Sequence, residues 1–154
     1  MRVMLERLTA EFRDSCRETM DECEGILNRL SNRTGDAGTD MIELQRRVHN
    51  VKGSGATFGF PAVSLIAHKL EDFLEATDKP ADHVRDIQVF LDAMRAIAES
   101  GVNPPEGDYP ALLRTLPRAR SGFTAVQRSR DVHILLAMPK DVQRKIILDR
   151  KSVV

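Results

Sequence analysis

One histidine opens an unusually glycine-rich stretch, HNVKGSGATFGF, at residues 49–60. A free imidazole has a pKa of about 6.5, so near neutral pH one ring nitrogen is usually unprotonated and nucleophilic. Lys52 follows His49 by about one helical turn and would place a positive charge beside an incoming phosphoryl group. Transfer of a phosphoryl group depends mainly on positioning and charge neutralisation. Together with a carboxylate on the same exposed face, these residues could therefore hold a phosphoryl group and pass it on.

The small residues after His49 are a second signal. Gly53 and Ala56 lie four and seven positions on, so in a helix they share the face of His49. A glycine costs a helix interior about 1 kcal/mol relative to alanine, but a missing side chain lets another protein approach closely. These two residues, with Gln45 and Ser64, are the predicted docking surface. Periodicity places Ser64 on the polar side of the third predicted helix, opposite Ile66, Leu70 and Phe73. The alternative is a plain surface histidine on a helix weakened by glycine.

A carboxylate and a second histidine are expected next to His49. The helices before and after a turn at Gly59 must run antiparallel. His49 lies ten residues before that turn, and His68 and Glu71 lie nine and twelve after it. At a rise of 1.5 Å per residue, all three come to nearly the same height. A carboxylate that accepts one ring N–H fixes the tautomer of a histidine and raises its basicity, which is the role predicted for Glu71.

Apolar residues at steps of three and four predict four helices. With short connections between them, the predicted fold is all-α, an up-and-down four-helix bundle with a possible fifth short helix. The predicted inward positions are Leu5, Leu8, Phe12, Cys16, Thr19, Cys23, Ile26 and Leu30; then Met41, Leu44, Val48, Val51, Gly55 and Phe58; then Ala62, Ile66, Leu70 and Phe73; and finally Val84, Ile87, Leu91, Met94 and Ala98.

Helix ends and domain limits follow from capping signals. Asp40 with Glu43 three residues later predicts a capping box that opens the second helix. Pro61 fits the first position of the third helix, Asp82 is the predicted start of the fourth, and Gly101 its end. Residues 1–102 are the predicted bundle, with the segment ALLRTL extending it to about 117. Residues 118–154 are predicted as a basic linker and an incomplete receiver-like or irregular tail.

The composition of the chain limits which kinds of partner and which cellular compartment are expected. The 23 basic and 23 acidic residues balance, which gives no support for binding to nucleic acid or to a membrane surface. No apolar run approaches the roughly 18 residues that cross a bilayer, and the charged, amphipathic start is not typical of a secretory signal. Cys16 and Cys23 lie on one helical face and are interpreted as small buried hydrophobes in a reducing cytoplasm.

A nucleotide site is not evident. No glycine-rich phosphate loop precedes a helix start, and no acidic cluster is suited to magnesium. The phosphoryl donor is therefore expected to be another domain or protein, with no cofactor in this chain. Whether the chain counts as an enzyme by itself stays open.

The stretch HNVKGSGATFGF, together with AHKLED beginning at Ala67, resembles the signature of histidine phosphotransfer (HPt) domains. It looks most like the N-terminal phosphotransfer domain of CheA-type chemotaxis histidine kinases, over about residues 3–100. The resemblance implies that His49 is phosphorylated by a histidine kinase catalytic domain, in cis or in trans, which holds ATP and Mg²⁺. It implies onward transfer to an aspartate of a response-regulator receiver, which holds its own Mg²⁺. Lys52, His68 and Glu71 match the family's supporting residues, and Gly53 its close-approach glycine.

Other interpretations remain. The chain could be the HPt domain of a hybrid kinase, a stand-alone carrier, or a non-catalytic helical interaction module in which His49 is inert. A metal site formed by His49, His68 and Glu71 is a further alternative. His83 and His133 are interpreted as incidental.

The C-terminal part gives weaker signals. Between residues 111 and 130 there are five arginines and no acid, which fits a solvated linker or a surface for an anionic partner. Residues 131–151 resemble the opening of a receiver domain, except that Met138 and Pro139 stand where receivers carry an acidic pair.

Overall fold

Five α-helices make up most of the structure. The computed structural model describes residues 1–119. The helices are α1 (Arg2–Asn32), α2 (Ala37–Thr57), α3 (Pro61–Ala76), α4 (Val84–Ser100) and α5 (Tyr109–Arg114), with 3₁₀ helices at Pro80–Asp82 and Glu106–Asp108. Each of α1 to α3 packs against the next helix along the chain, and α4 packs back on α1. The predicted all-α class and four-helix bundle are confirmed.

The core is mostly aliphatic, and its residues come from one stripe on each helix. Most predicted inward positions are buried, and Met20 and Phe90, which the predicted stripes omitted, are buried with them. Near the turn between α2 and α3, the Phe12 ring of α1 stacks on Phe58 and Phe60, with centroids 5.7 and 4.8 Å apart. This stacking anchors α1 to the end of the α2–α3 hairpin.

The start of α1 differs from the prediction. Leu5 and Leu8 belong to the predicted inward stripe but are 60% and 37% exposed. The physical reason is length: α1 has 31 residues, whereas α2 to α4 have 16 to 21. At 1.5 Å per residue, α1 extends beyond its partners. Its burial begins at Phe12.

Two predicted helix starts were wrong. The side chain of Asp36, not of Asp40, caps α2, because its Oδ2 accepts a hydrogen bond from the Thr39 backbone N–H at 2.9 Å. Asp40 lies inside the first turn and is 5% exposed; its Oδ1 accepts hydrogen bonds of 2.8 and 3.0 Å from the Arg29 guanidinium on α1. The acid three residues before Glu43 therefore joins two helices instead of capping one. Helix α4 begins at Val84, since Asp82 belongs to the preceding 3₁₀ helix.

Other predicted ends are confirmed. Pro61 is the first residue of α3, where a missing N–H costs no hydrogen bond. Gly101 ends α4 in the left-handed conformation, with φ 71°, which glycine adopts without a steric penalty. These two positions were predictable because proline and glycine restrict or free the backbone itself.

The stretch after Gly101 is part of the fold. The side-chain carbonyl of Asn103 accepts a 2.9 Å hydrogen bond from the Ala62 N–H in the first turn of α3, a group that the helix leaves unpaired. Asn103 also donates to the hydroxyl of Tyr109 at 2.9 Å, and the Tyr109 ring packs on Ala62 and Leu65. The predicted fifth helix is confirmed as α5. The predicted linker and tail at 118–154 lie, apart from residues 118 and 119, outside the described residues.

Both cysteines are buried on α1 as free thiols, which confirms their interpretation as small buried hydrophobes. Burial raises the pKa of Cys16 to about 11 and that of Cys23 to about 12. Neither thiol is therefore appreciably ionised near neutral pH. In residues 1–119, no helix combines the length and apolar character that a membrane span requires.

Candidate functional site

The His49 side chain stands on the outer face of α2. Its side chain is 67% exposed, while Val48 and Val51 beside it are buried and hold the helix against the core. Exposure on an anchored helix leaves the imidazole accessible to another protein without weakening the bundle. The predicted outward orientation is what the structure has.

Glu71 of α3 joins His49 and Lys52 of α2. Its Oε1 lies 2.9 Å from His49 Nδ1, and its Oε2 accepts a 2.6 Å hydrogen bond from Lys52 Nζ. The chain reverses between α2 and α3 at Gly59, whose φ is 88°, so the two helices run antiparallel. The predicted equal height of His49 and Glu71 is confirmed.

The carboxylate determines which ring nitrogen of His49 is free. Partial burial pushes the pKa of Glu71 upward, but the hydrogen bonds from Lys52 and His49 and the nearby positive charge outweigh it, so the pKa lies below its ordinary value. Glu71 is therefore ionised near neutral pH and acts only as an acceptor. The ring proton must then be on Nδ1, which leaves the lone pair on Nε2. The site has a tautomerically defined nucleophile.

His68 lies deeper beside the same carboxylate. Its side chain is 26% exposed, and its Nδ1 is 3.6 Å from Glu71 Oε2, beyond ordinary hydrogen-bonding distance. Burial lowers the pKa of His68, and the charge of Lys52 adds to this effect, which together outweigh Asp72 and Glu71. A neutral His68 leaves the Glu71 carboxylate to His49 and Lys52.

The lowered pKa predicts an acid sensitivity that depends on His68. Between pH 6.5 and the lower folded-state pKa, the unfolded chain binds a proton at this position that the native chain does not. Stability must therefore fall as the pH falls through that window. We expect urea unfolding to show a larger loss between pH 7 and 5.5 for the native chain than for His68→Gln. Titration of the His68 ring by NMR at or above pH 6.5 would contradict this.

The predicted docking residues divide into two groups. Gln45, Gly53 and Ala56 are exposed on the same side of α2 as His49, and nothing lies within 4 Å of where a Gly53 Cβ would be. Ser64 is only half-exposed, and its hydroxyl bonds to the backbone of α2. It is thus not on the free polar side of α3 that the periodicity predicted, and a docking role for it stays a prediction.

One residue of the site region was missed by the sequence reasoning. Gly55 was assigned to the apolar stripe, yet its missing side chain is what admits α3: an added Cβ would lie 2.6 Å from Ser64 Oγ. A glycine on the inward face of an otherwise apolar stripe was the available signal, since it fills no core volume there.

Two further predictions about the histidines concern a metal site and the incidental roles of His83 and His133. In residues 1–119 no group of three or more His, Cys, Asp and Glu side chains is arranged to hold a metal ion. His83 precedes α4, with its Nδ1 3.3 Å from Asp86 and its ring edge-on to Phe73. His133 lies outside the described residues.

The model of the Hpt domain family matches residues 7–100, more than half of the 154-residue chain. The matched range contains the whole site from Gln45 to Glu71. No curated protein and no solved structure matched the chain.

Proposed function

Because the chain belongs to the Hpt domain family, whose domains carry phosphoryl groups between histidine kinases and response regulators, we propose that His49 is its phosphoacceptor. One observation supports this assignment above the others. Glu71 Oε1 lies 2.9 Å from His49 Nδ1, while the His49 side chain is 67% exposed. The nucleophilic atom is then Nε2, which points away from its carboxylate partner.

The proposed reaction is a displacement at phosphorus. Nε2 attacks the γ-phosphorus of ATP, an N–P bond forms, and the bond from that phosphorus to the bridging oxygen breaks as ADP leaves with the electron pair. The ring becomes positively charged while its Nδ1 proton stays hydrogen-bonded to Glu71, which stabilises that charge. In the second transfer an aspartate oxygen of the receiver attacks the phosphorus, and the N–P electron pair returns to Nε2.

Lys52 is assigned the task of balancing charge. Its ammonium lies 2.6 Å from Glu71 Oε2, and its side chain is 30% exposed, one helical turn from His49. A positive charge one turn from the imidazole favours the approach of a phosphoryl group.

The finer assignment is to the CheA type. We propose a cytoplasmic phosphotransfer domain of a chemotaxis kinase system, supported by the run GATFGF after Lys52 and by AHKLED around His68 and Glu71. ATP and Mg²⁺ belong in this proposal to the kinase domain, and Mg²⁺ to the receiver. A hybrid-kinase domain or a stand-alone carrier differs in its partners, not in its chemistry.

A phosphotransfer profile tests the function. The full chain is incubated with radiolabelled ATP and each histidine kinase core from the same cell, and then with each receiver. A label that is lost in acid and kept in alkali, as expected for an N–P bond, and that moves to a receiver supports the proposal. If neither a histidine kinase nor a small phosphoramidate donor labels the chain, the proposal is wrong.

Gly53 offers a test of docking that leaves the nucleophile intact. A side chain there meets open space, so Gly53→Leu should fold and gain helix stability, because glycine is the weaker helix former by up to about 1 kcal/mol. We expect it to slow transfer from a kinase domain about tenfold, which corresponds to about 1.4 kcal/mol. Labelling by phosphoramidate should change less than about twofold.

Two controls define this result. Gly53→Ala adds little bulk and should keep most of the transfer rate. Gly25→Leu places the same bulk on α1, where an added Cβ also meets open space, and should leave labelling by both donors unaffected. Equal slowing with the protein donor and the small donor would mean that Gly53 affects the chemistry and not the docking.

A further inference from the structure

The hydroxyl of Ser64 enters the backbone hydrogen bonding of α2. Ala56 N–H donates to Ser64 Oγ at 2.8 Å, and the hydroxyl donates to the Lys52 carbonyl at 2.7 Å. In an undisturbed α-helix, the N–H of residue 56 would bond directly to the carbonyl of residue 52. One side chain of α3 thus serves both members of a backbone pair of α2. Side chains inserted in this way are a known cause of helix bending.

Gly55 makes this insertion possible. A Cβ on residue 55 would lie 2.6 Å from Ser64 Oγ, 3.0 Å from Ser64 N and 3.1 Å from the carbonyl oxygen of Phe60. Two of these three neighbours are backbone atoms, so they could not move aside cheaply. The glycines of the 49–60 stretch therefore differ in purpose. Gly53 leaves space outside the bundle, whereas Gly55 lets the first turn of α3 contact α2.

The same two helices meet again at the site. Ser64 and Glu71 are seven residues, or two turns, apart on α3, so they lie on one side of it. Ser64 bonds to the backbone of Lys52, and Glu71 bonds to the side chain of Lys52 and to His49. Lys52 is thus held by α3 at both its carbonyl and its amine. A shift of α3 along α2 would change both contacts together.

We infer that Ser64, seated against Gly55, is a positioning residue that sets the register of α3 on α2 and so holds Glu71 at His49 Nδ1. The inference rests on the proposed function for the kinetic part of its test only. Without the hydroxyl, Ala56 N–H and the Lys52 carbonyl can bond directly, so the fold survives while the contact between the first turn of α3 and Lys52 is lost. Glu71 then meets the imidazole less well.

The first test measures the tautomer of His49, not its phosphorylation. Nitrogen-15 NMR of the full chain should find the Nδ1–H form dominant in the native protein, and a larger Nε2–H fraction in Ser64→Ala. Ser54→Ala is the matched control, because the Ser54 hydroxyl bonds only within α2, to the Val51 carbonyl at 3.3 Å. An unchanged tautomer ratio in folded Ser64→Ala, or an equal change in Ser54→Ala, overturns the inference.

The second test is a double-mutant cycle with phosphoramidate as donor. Ser64→Ala alone should slow labelling of His49 by about tenfold, and should cause no further loss in a Glu71→Gln background. Ser64→Cys keeps the approximate size of the side chain but donates and accepts hydrogen bonds only weakly, so it should behave alike and decides the matter if Ser64→Ala does not fold. Equal losses in both backgrounds would make Ser64 merely structural. If the native chain accepts no label at all, the proposed function fails, while the tautomer result still decides for or against Ser64.

Discussion

Replacing His49 with glutamine is expected to abolish phosphorylation and leave the bundle folded. Glutamine keeps the polarity and approximate length of the side chain but has no nucleophilic nitrogen, so no N–P bond can form. The His49 side chain is 67% exposed, and substitutions at such positions usually change stability by less than about 0.5 kcal/mol. Label from radioactive ATP and a kinase domain should fall below detection, with unchanged circular dichroism and unfolding midpoint.

The matched control for this variant is His83→Gln. His83 precedes α4, where its Nδ1 lies 3.3 Å from Asp86 Oδ2 and its ring is edge-on to Phe73. It should be labelled at the native rate. Label that persists in His49→Gln, or that resists acid, would contradict the assignment of the phosphoacceptor.

Glu71→Gln is expected to have the second largest effect. The amide is nearly the same size but uncharged, and it can present an N–H to His49 Nδ1 as readily as a carbonyl. The imidazole then loses its fixed tautomer, and the ring charge that forms with the N–P bond loses its counter-ion. We expect labelling by phosphoramidate and by a kinase to slow about ten- to hundredfold, by analogy with the loss of partners that orient metal-binding histidines.

A second consequence concerns stability. Lys52 keeps a neutral amide oxygen as acceptor but loses the charged partner of its 2.6 Å hydrogen bond, which should lower the free energy of unfolding by about 1 kcal/mol. Glu99→Gln is the control, because it removes an exposed carboxylate that pairs with Arg17 between α1 and α4. That variant should keep its labelling rate. A native labelling rate in Glu71→Gln would mean that Glu71 is only structural.

The juxtaposition of His49 and Glu71 could be predicted because it depends on few quantities. An antiparallel hairpin, a turn at a known residue and a fixed rise per residue determine which positions are level. Burial of α2 to α4 followed from apolar spacing in the same way. Pro61 and Gly101 could be placed because their backbone restrictions are local.

What could not be predicted involves contacts between distant residues. The pattern of Asp40 and Glu43 matches a capping box, and only the pairing of Asp40 with Arg29 across two helices distinguishes a salt bridge between helices from a cap. Asn103 reaches Ala62 over a sequence separation of 41 residues. Likewise, periodicity places Ser64 on the polar side of α3, but the direction of its hydroxyl depends on the absent side chain of Gly55. Periodicity predicts which face of a helix a residue lies on, whereas these contacts depend on the positions of individual atoms.

The two buried thiols of α1 have a consequence for following the motions of the bundle. Cys16 and Cys23 are about two helical turns apart and 2% and 0% exposed, so a thiol-specific reagent can reach them only when α1 separates from its neighbours. The rate of their alkylation therefore reports how often the bundle opens at each of two levels. Because both cysteines lie on α1 and the reacting histidine lies on α2, these opening rates can be compared before and after His49 carries a phosphoryl group without modifying the site itself.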